Sequence, residues 1–241
     1  MQPELLDQAR GLIGPLVRPG ARAIVGIAGP PGAGKSTLAR ALADSFAAEL
    51  TAESPAESDQ VGAVAVPMDG FHLSNVELGR LGLADRKGAL PTFDGAGFVH
   101  LLERIRAGGE LVYAPAYSRV VHESIGGVIP VRPHTRLVVV EGNYLFVPEE
   151  PWLRSRPLYD LAIYLDFPGQ ARVAGLIRRQ RSFGLDAEAA LDWVMRSDEA
   201  NARLIETTRR YADAVLVRSS DMGPSGPGWT HTPGSTDVNG R

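Results

Sequence analysis

With 241 residues, 44% of them hydrophobic, and a net charge of -3, the chain can bury one substantial core but has no cationic excess for gripping a phosphate backbone, which excludes a general nucleic-acid binder. Cysteine is absent, so disulfides, thiolate metal sites and a cysteine nucleophile are excluded too. No apolar run approaches a membrane span, and Met1 to Gly20 carries Glu4, Asp7 and Arg10 without a cleavable signal pattern, so a soluble cytoplasmic protein with small partners and no membrane attachment is expected.

Residues 4 to 17 read as a short amphipathic lead-in helix. Ala23 to Ala28 is an apolar, β-branched run ending in a glycine-rich turn, and Thr37 to Leu50 then has helical spacing. Thr51 to Gln60 is acidic and reads as a solvated loop before a second strand at Val61 to Val66. Phe98, Leu101, Leu102 and Ile105 mark a helix by their spacing. From Val112 to Val131 the pattern breaks into Tyr, Gly and Pro with short apolar pieces, which predicts a hairpin excursion off the sheet edge. Leu137 to Val140 and Leu161 to Leu165 are two more buried strands. Val173, Leu176 and Ile177 stripe one helix, Leu191, Val194, Met195 and Ile205 a longer one, and a last strand runs from Ala214 to Val217. Alternating strands and helices imply an α/β fold, a mainly parallel sheet with helices on both faces. The expected organisation is a lead-in at 1–20, one domain at 21–218 and a disordered Ser-, Gly- and Pro-rich tail at 219–241.

Gly29-Pro30-Pro31-Gly32-Ala33-Gly34-Lys35-Ser36 satisfies G-x-x-x-x-G-K-[ST] between a strand and a helix, the context a phosphate-binding P-loop requires. Its glycines let backbone N–H groups turn toward an anion at the helix N-terminus. Lys35 reaches β and γ oxygens, Ser36 offers a hydroxyl to Mg2+, and Thr37 continues the loop into the helix. ATP and Mg2+ are the expected cofactors of such a P-loop NTPase fold.

Asp69, Glu141 and Asp166 follow strands on the same edge as the P-loop, where ligands of open α/β sheets bind. Glu141 is a magnesium-side candidate acting through water. Asp166 is open between such a role and capping the helix after Pro168. Asp69, in Met68-Asp69-Gly70-Phe71-His72, is placed to take a proton from an alcohol, a poor nucleophile that needs a base. An ionised phosphate acceptor would need none, so the carboxylate points to a small-molecule alcohol as the acceptor.

GPPGAGKST, MDGFHLSN, RKGALPTFD, APAYSR, VVVEGNYL and YADAVLV together resemble the phosphoribulokinase and uridine kinase family of P-loop kinases from Ile24 to Val217, with nucleoside/nucleotide kinase-like and fructose transport system kinase-like proteins nearest and pantothenate kinases as neighbours. The resemblance implies Asp69 as base, His72 as an aromatic substrate contact, Asp94 as a ligand for substrate hydroxyls, and Tyr117 and His122 as pocket residues from the hairpin. It also implies a helical lid carrying Arg172, Arg178, Arg179 and Arg181. Helical geometry puts Arg178 and Arg181 on one side and Arg172 and Arg179 on another, and the pair expected to face the nucleotide is Arg178 with Arg181. Pantothenate kinases share Lys87-Gly88 and the Tyr117-Ser118 pair but have histidine where this chain has Arg119, and the uridine-kinase FDHP motif is not intact here.

A GTPase switch is set aside: Asp94-Gly95-Ala96-Gly97 matches D-x-x-G, but no N-K-x-D guanine reader exists, lysine occurring only at positions 35 and 87. A nucleoside monophosphate kinase conflicts with Asp69 and the hairpin, and a P-loop protein without catalysis conflicts with Lys35, Ser36, Asp69 and Glu141 together. Oligomeric state is left open, a homodimer being one option. Lys87 stands out because the chain otherwise uses arginine for its cations. A compact ammonium beside Gly88 suits a narrow anionic site, so contact with a substrate oxygen is expected.

Overall fold

A computed structural model describes residues 2–53 and 62–219. The expectations for a disordered tail past Ser219 and for the acidic loop past Glu53 lie outside the described residues. The strands are β1 (Ala23–Ala28), β2 (Gly62–Pro67), β3 (Val112–Ser118), β4 (Glu123–Val131), β5 (Thr135–Glu141), β6 (Leu161–Asp166) and β7 (Ala214–Val217). The helices are α1 (Pro3–Ile13), α2 (Lys35–Glu53), α3 (Asn75–Leu81), α4 (Gly95–Ala107), α5 (Gly169–Ser182), α6 (Ala187–Trp193) and α7 (Glu199–Glu206).

Five strands pair in the order β2-β5-β1-β6-β7, every neighbour parallel. The central strands are near-continuous apolar runs because both faces are covered. Ile24, Val138, Val140, Ala162 and Tyr164 enter one core with Phe98, Leu102 and Ile105 of α4. Their neighbours Val25, Leu137, Val139, Ile163 and Leu165 enter the other. There they meet Leu38, Leu42 and Phe46 of α2, four residues apart and therefore on one helix face. Each such burial is worth about 1.5–3 kcal/mol.

Several elements depart from the sequence expectation: α2 runs on to Glu53, into the segment expected to be a loop from Thr51, α3 was not expected, and two further helices differ in extent. The lead-in helix ends at Ile13 and passes into a 3-10 turn at Gly14–Leu16, because Pro15 has no amide to continue the α ladder. Leu5, Ala9 and Ile13 pack into the second core, so α1 is part of the α/β body. The longer helix is split by a π turn at Val194–Asp198. That turn shifts the helical phase, leaving Leu191 and Met195 exposed while Ala190, Val194, Ala202 and Ile205 are buried.

β3 and β4 form a separate antiparallel ribbon, irregular between Ala114 and Ala116. It leans on the turn after β2. A Cβ on Gly70 would lie 2.3 Å from the Pro115 carbonyl oxygen, so glycine is what allows that approach.

Candidate active site

The P-loop spans the gap between β1 and α2, with Gly29, Gly32 and Gly34 at φ of 149°, 82° and 101°. Those left-handed conformations, which L side chains rarely adopt, let the loop curl around the start of α2. Lys35 is buried at 7% exposure. Its ammonium donates to the carbonyls of Gly29 (2.8 Å) and Pro30 (3.1 Å) and to Asn143 Oδ1 (2.7 Å). Burial pushes its pKa down to about 8, against the upward pull of Glu141 and Asp69. Thr37 is exposed on α2 and Ala33 is buried under the loop.

Register brings the carboxylates to the same place. Glu141 pairs with Ile27 of β1 on one side and Pro67 of β2 on the other, two residues before Gly29 and Asp69 respectively. Gly142 permits this closeness, since a Cβ there would lie 2.4 Å from Met68 Cβ. Glu141 is 5% exposed. Burial raises its pKa to about 7, the nearby Asp69 charge adds to the rise, and Lys35, a hydrogen bond from Ser36 and Arg40 oppose it. A hydroxyl and a carboxylate side by side are hard oxygen donors suited to Mg2+. Among the described residues no group of three or more His, Cys, Asp or Glu could hold a metal by itself, so a magnesium at Ser36 and Glu141 would complete its shell with substrate oxygens and water. Asp69 is half-buried in the 3-10 turn Met68–Phe71. Asp166 does not cap α5: its Oδ1 accepts from the Phe167 amide at 2.8 Å, its Oδ2 lies 3.5 Å from Arg209, and Pro168 occupies the α5 N-cap.

An aromatic wall stands beside Asp69. Segments 71–73 and 92–94 pair through Leu73 N–H to Thr92 O (2.9 Å) and Asp94 N–H to Phe71 O (2.8 Å). His72 is thereby stacked between Phe93 (4.0 Å) and Tyr117 (4.7 Å). Burial is the main cause lowering the His72 pKa, which keeps the imidazole neutral. Asp94 is exposed and caps α4, its Oδ1 accepting from the Gly97 amide at 2.8 Å. Lys87 is committed within the protein: it donates to Asn75 Oδ1 (2.6 Å) and His122 O (2.7 Å), lies 3.9 Å from Glu123, and sits 5.3 Å from the Tyr117 ring centroid. It therefore fastens the hairpin tip to α3. His122 itself is exposed at φ 54°, and its carbonyl, not its imidazole, makes these contacts. Arg119 is exposed, and its charge reaches His72, Tyr117 and Arg179.

The arginine expectation is corrected. Arg178 and Arg181 are exposed. Arg172 and Arg179, four before and three after the buried Leu176, share its inward face. Arg172 is 5% exposed and donates to Pro31 O (3.2 Å) and Glu199 (2.5 Å). The charges of both Arg172 and Arg179 reach Lys35.

Residues 24–223 match the Phosphoribulokinase / Uridine kinase family. The chain belongs to this family. An Escherichia coli (strain K12) protein, YggC, is 32% identical over 205 residues, 85% of this chain and 81% of that one. A Schizosaccharomyces pombe protein provisionally named a uridine kinase is 32% identical over 204 residues, 81% of this chain and 83% of the relative. A solved structure from Silicibacter sp. TM1040, provisionally described as a fructose transport system kinase, is 37% identical with a TM-score of 0.76, covering 88% of this chain and 98% of its own. This member of the family is thus an ATP-dependent phosphotransferase with an alcohol group as acceptor, built on a P-loop kinase fold.

Several residues around this site were not singled out from the sequence. Asn143 holds the Lys35 ammonium, Arg218 lies over the Phe167 ring with its Nη1 3.4 Å from Ala33 O, and Tyr144 and Asn201 both donate to Gly88 O (2.8 and 3.3 Å). Asn143 and Tyr144 had a clue, standing two and three residues after Glu141 in the VVVEGNYL run.

Proposed function

We propose that this kinase transfers the γ-phosphoryl group of ATP to a hydroxyl of a small nucleoside or sugar-like alcohol. The observation that carries the reading is the half-buried Asp69, held one turn past β2 beside the neutral His72 wall and within electrostatic reach of Lys35. Asp69 accepts the proton of the attacking hydroxyl, and His72 and Tyr117 form an apolar surface for the acceptor's flank. The P-loop amides and Lys35 hold the donor's phosphates, and Lys35 leaves its carbonyl and Asn143 contacts to do so. Ser36 and Glu141 would hold the magnesium ion, which when bound supplies neutralisation of phosphate charge. Glu141 favours its ionised form once a cation stands beside it.

A pantothenate-type acceptor is the second reading, favoured by relatives such as the Bacillus velezensis pantothenate kinase, 33% identical over 150 residues. This chain spans only 44% of that protein, and Arg119 replaces the histidine of the pattern.

A coupled ADP-release screen over nucleosides, sugars, polyols, pantothenate and nucleoside monophosphates decides. Turnover with a nucleoside or sugar-like alcohol is expected. Turnover confined to pantothenate selects the second reading, and turnover confined to monophosphates overturns both.

A further inference from the structure

Arg179 lies in the last turn of α5 and Asp198 closes the π turn before α7. Arg179 Nη2 stands 3.8 Å from Asp198 Oδ1, too long for a hydrogen bond. The other two atoms of the same pair, Arg179 Nε and Asp198 Oδ2, are both buried and without a hydrogen-bond partner. An arginine meeting a carboxylate side-on uses this set of four atoms, Nε–H to one oxygen and Nη–H to the other. A contraction of about 1 Å would bring Nη2 and Oδ1 to bonding distance, since charged N–H···O contacts settle near 2.7–2.9 Å. Two buried orphans, one on each partner of a 3.8 Å pair, describe an ion pair short of formation.

The neighbouring pair shows the finished state. Arg172, two turns earlier on α5, already meets Glu199 at 2.5 Å and braces Pro31 of the P-loop. Adjacent acids at 198 and 199 thus take two arginines of one helix, and only one engagement is complete. Arg179 also differs in exposure: its side chain is 39% exposed against 6% for Arg172. Its charge is felt by Lys35, and it in turn feels Asp69, though Asp198 acts on it more strongly. Arg179 thus lies within electrostatic reach of Lys35 and Asp69 as well as Asp198.

We infer that Asp198 is a positioning residue that seats Arg179 through a side-on bidentate pair, completed as α5 closes on α7, so that the free Nη1 edge meets the phosphoryl group being transferred. This rests on the kinase reading. The pair leaves Nη1–H donors for phosphate oxygens and keeps Arg179 from settling on the Asp69 carboxylate. Asp198 follows the buried Val194 by four residues and precedes the buried Ala202 by four, which puts it on the inward face of this helical stretch.

The test compares Mg·ATP and Mg·ADP dissociation constants by titration calorimetry on the full chain. Asp198→Asn and Arg179→Lys should each lower the preference for ATP over ADP about tenfold, about 1.4 kcal/mol, with ADP affinity unchanged. The double variant should lose no more than either single one, and Asp198→Glu should recover most of the preference. An unchanged preference in Asp198→Asn, equal weakening of both nucleotides, or losses that multiply in the double variant would each overturn the inference. Should Asp198→Asn fail to fold, Arg179→Lys with an unchanged preference overturns it alone. A wild-type chain that does not bind Mg·ATP sinks the kinase reading instead, so the two failures are distinguishable.

Discussion

The donor side and the acceptor side proposed for this site are built by different means. On the donor side one contiguous loop, fastened between β1 and α2, carries nearly everything, and Lys35 and Glu141 are at most 7% exposed. The acceptor side is assembled from the turn after β2, the segment around Lys87 to Asp94 and the hairpin tip, joined by side-chain ties such as Lys87 to His122 O and Ser124 to His72 O. Phosphate recognition needs a fixed cage of backbone donors, which short-range geometry supplies. Acceptor recognition needs a surface that can differ between relatives, and separate segments on a ribbon outside the main sheet supply that. Specificity within the family should accordingly reside in the second region.

Separating the two regions experimentally should give graded effects. Asp69→Asn keeps the side-chain shape and removes the base, so kcat should fall about 10² to 10⁴-fold with ATP affinity unchanged in a binding titration. Equal loss of both would merge the two sides and discard the assignment. The next effect is on the donor side alone. Lys35 in the free protein titrates near pH 8, and phosphate oxygens would raise that value in the complex, so binding takes up a proton between the two pKa values. Nucleotide affinity should then fall as pH rises past about 8, by up to about tenfold per unit, whereas a flat profile from about pH 7 to 9.5 would contradict a buried, depressed ammonium.

On the acceptor side, Lys87→Arg and Lys87→Ala should raise the acceptor KM about tenfold and leave the ATP KM alone, because a guanidinium cannot reproduce the compact tie to Asn75 and His122. Wild-type acceptor KM in both variants would mean the hairpin tip does not shape the pocket. The smallest effect belongs to the exposed lid face: Arg178→Ala and Arg181→Ala should stay within about twofold of wild type in kcat, and a tenfold loss in either would return them to the nucleotide side.

By itself the sequence determined the order of the strands, most of the helices though neither α3 nor the break between α6 and α7, the P-loop and the carboxylates at one sheet edge. Each of these is encoded within a few residues of chain, in a motif, a period or a strand end. The residues Lys35, Ser36, Asp69 and Glu141 could be found this way because the parallel sheet necessarily brings strand ends together. Tertiary structure alone decided which face of α5 looks inward, and so set Arg172 against the P-loop and Arg179 on the same side of the helix, where Arg178 and Arg181 were expected. Leu176 held a partial clue, but a helix with apolar residues at 173, 176 and 177 has no unique inner side until it is packed. The same holds for α1, whose apolar stripe found a place in the core, for Asp94, which became a helix cap, and for Lys87, whose partners come from α3 and the hairpin. Asp198 is the extreme case: it is a charged residue on the buried face of the helical stretch, its partner Arg179 comes from a different helix, and the π turn it closes is announced by no local pattern.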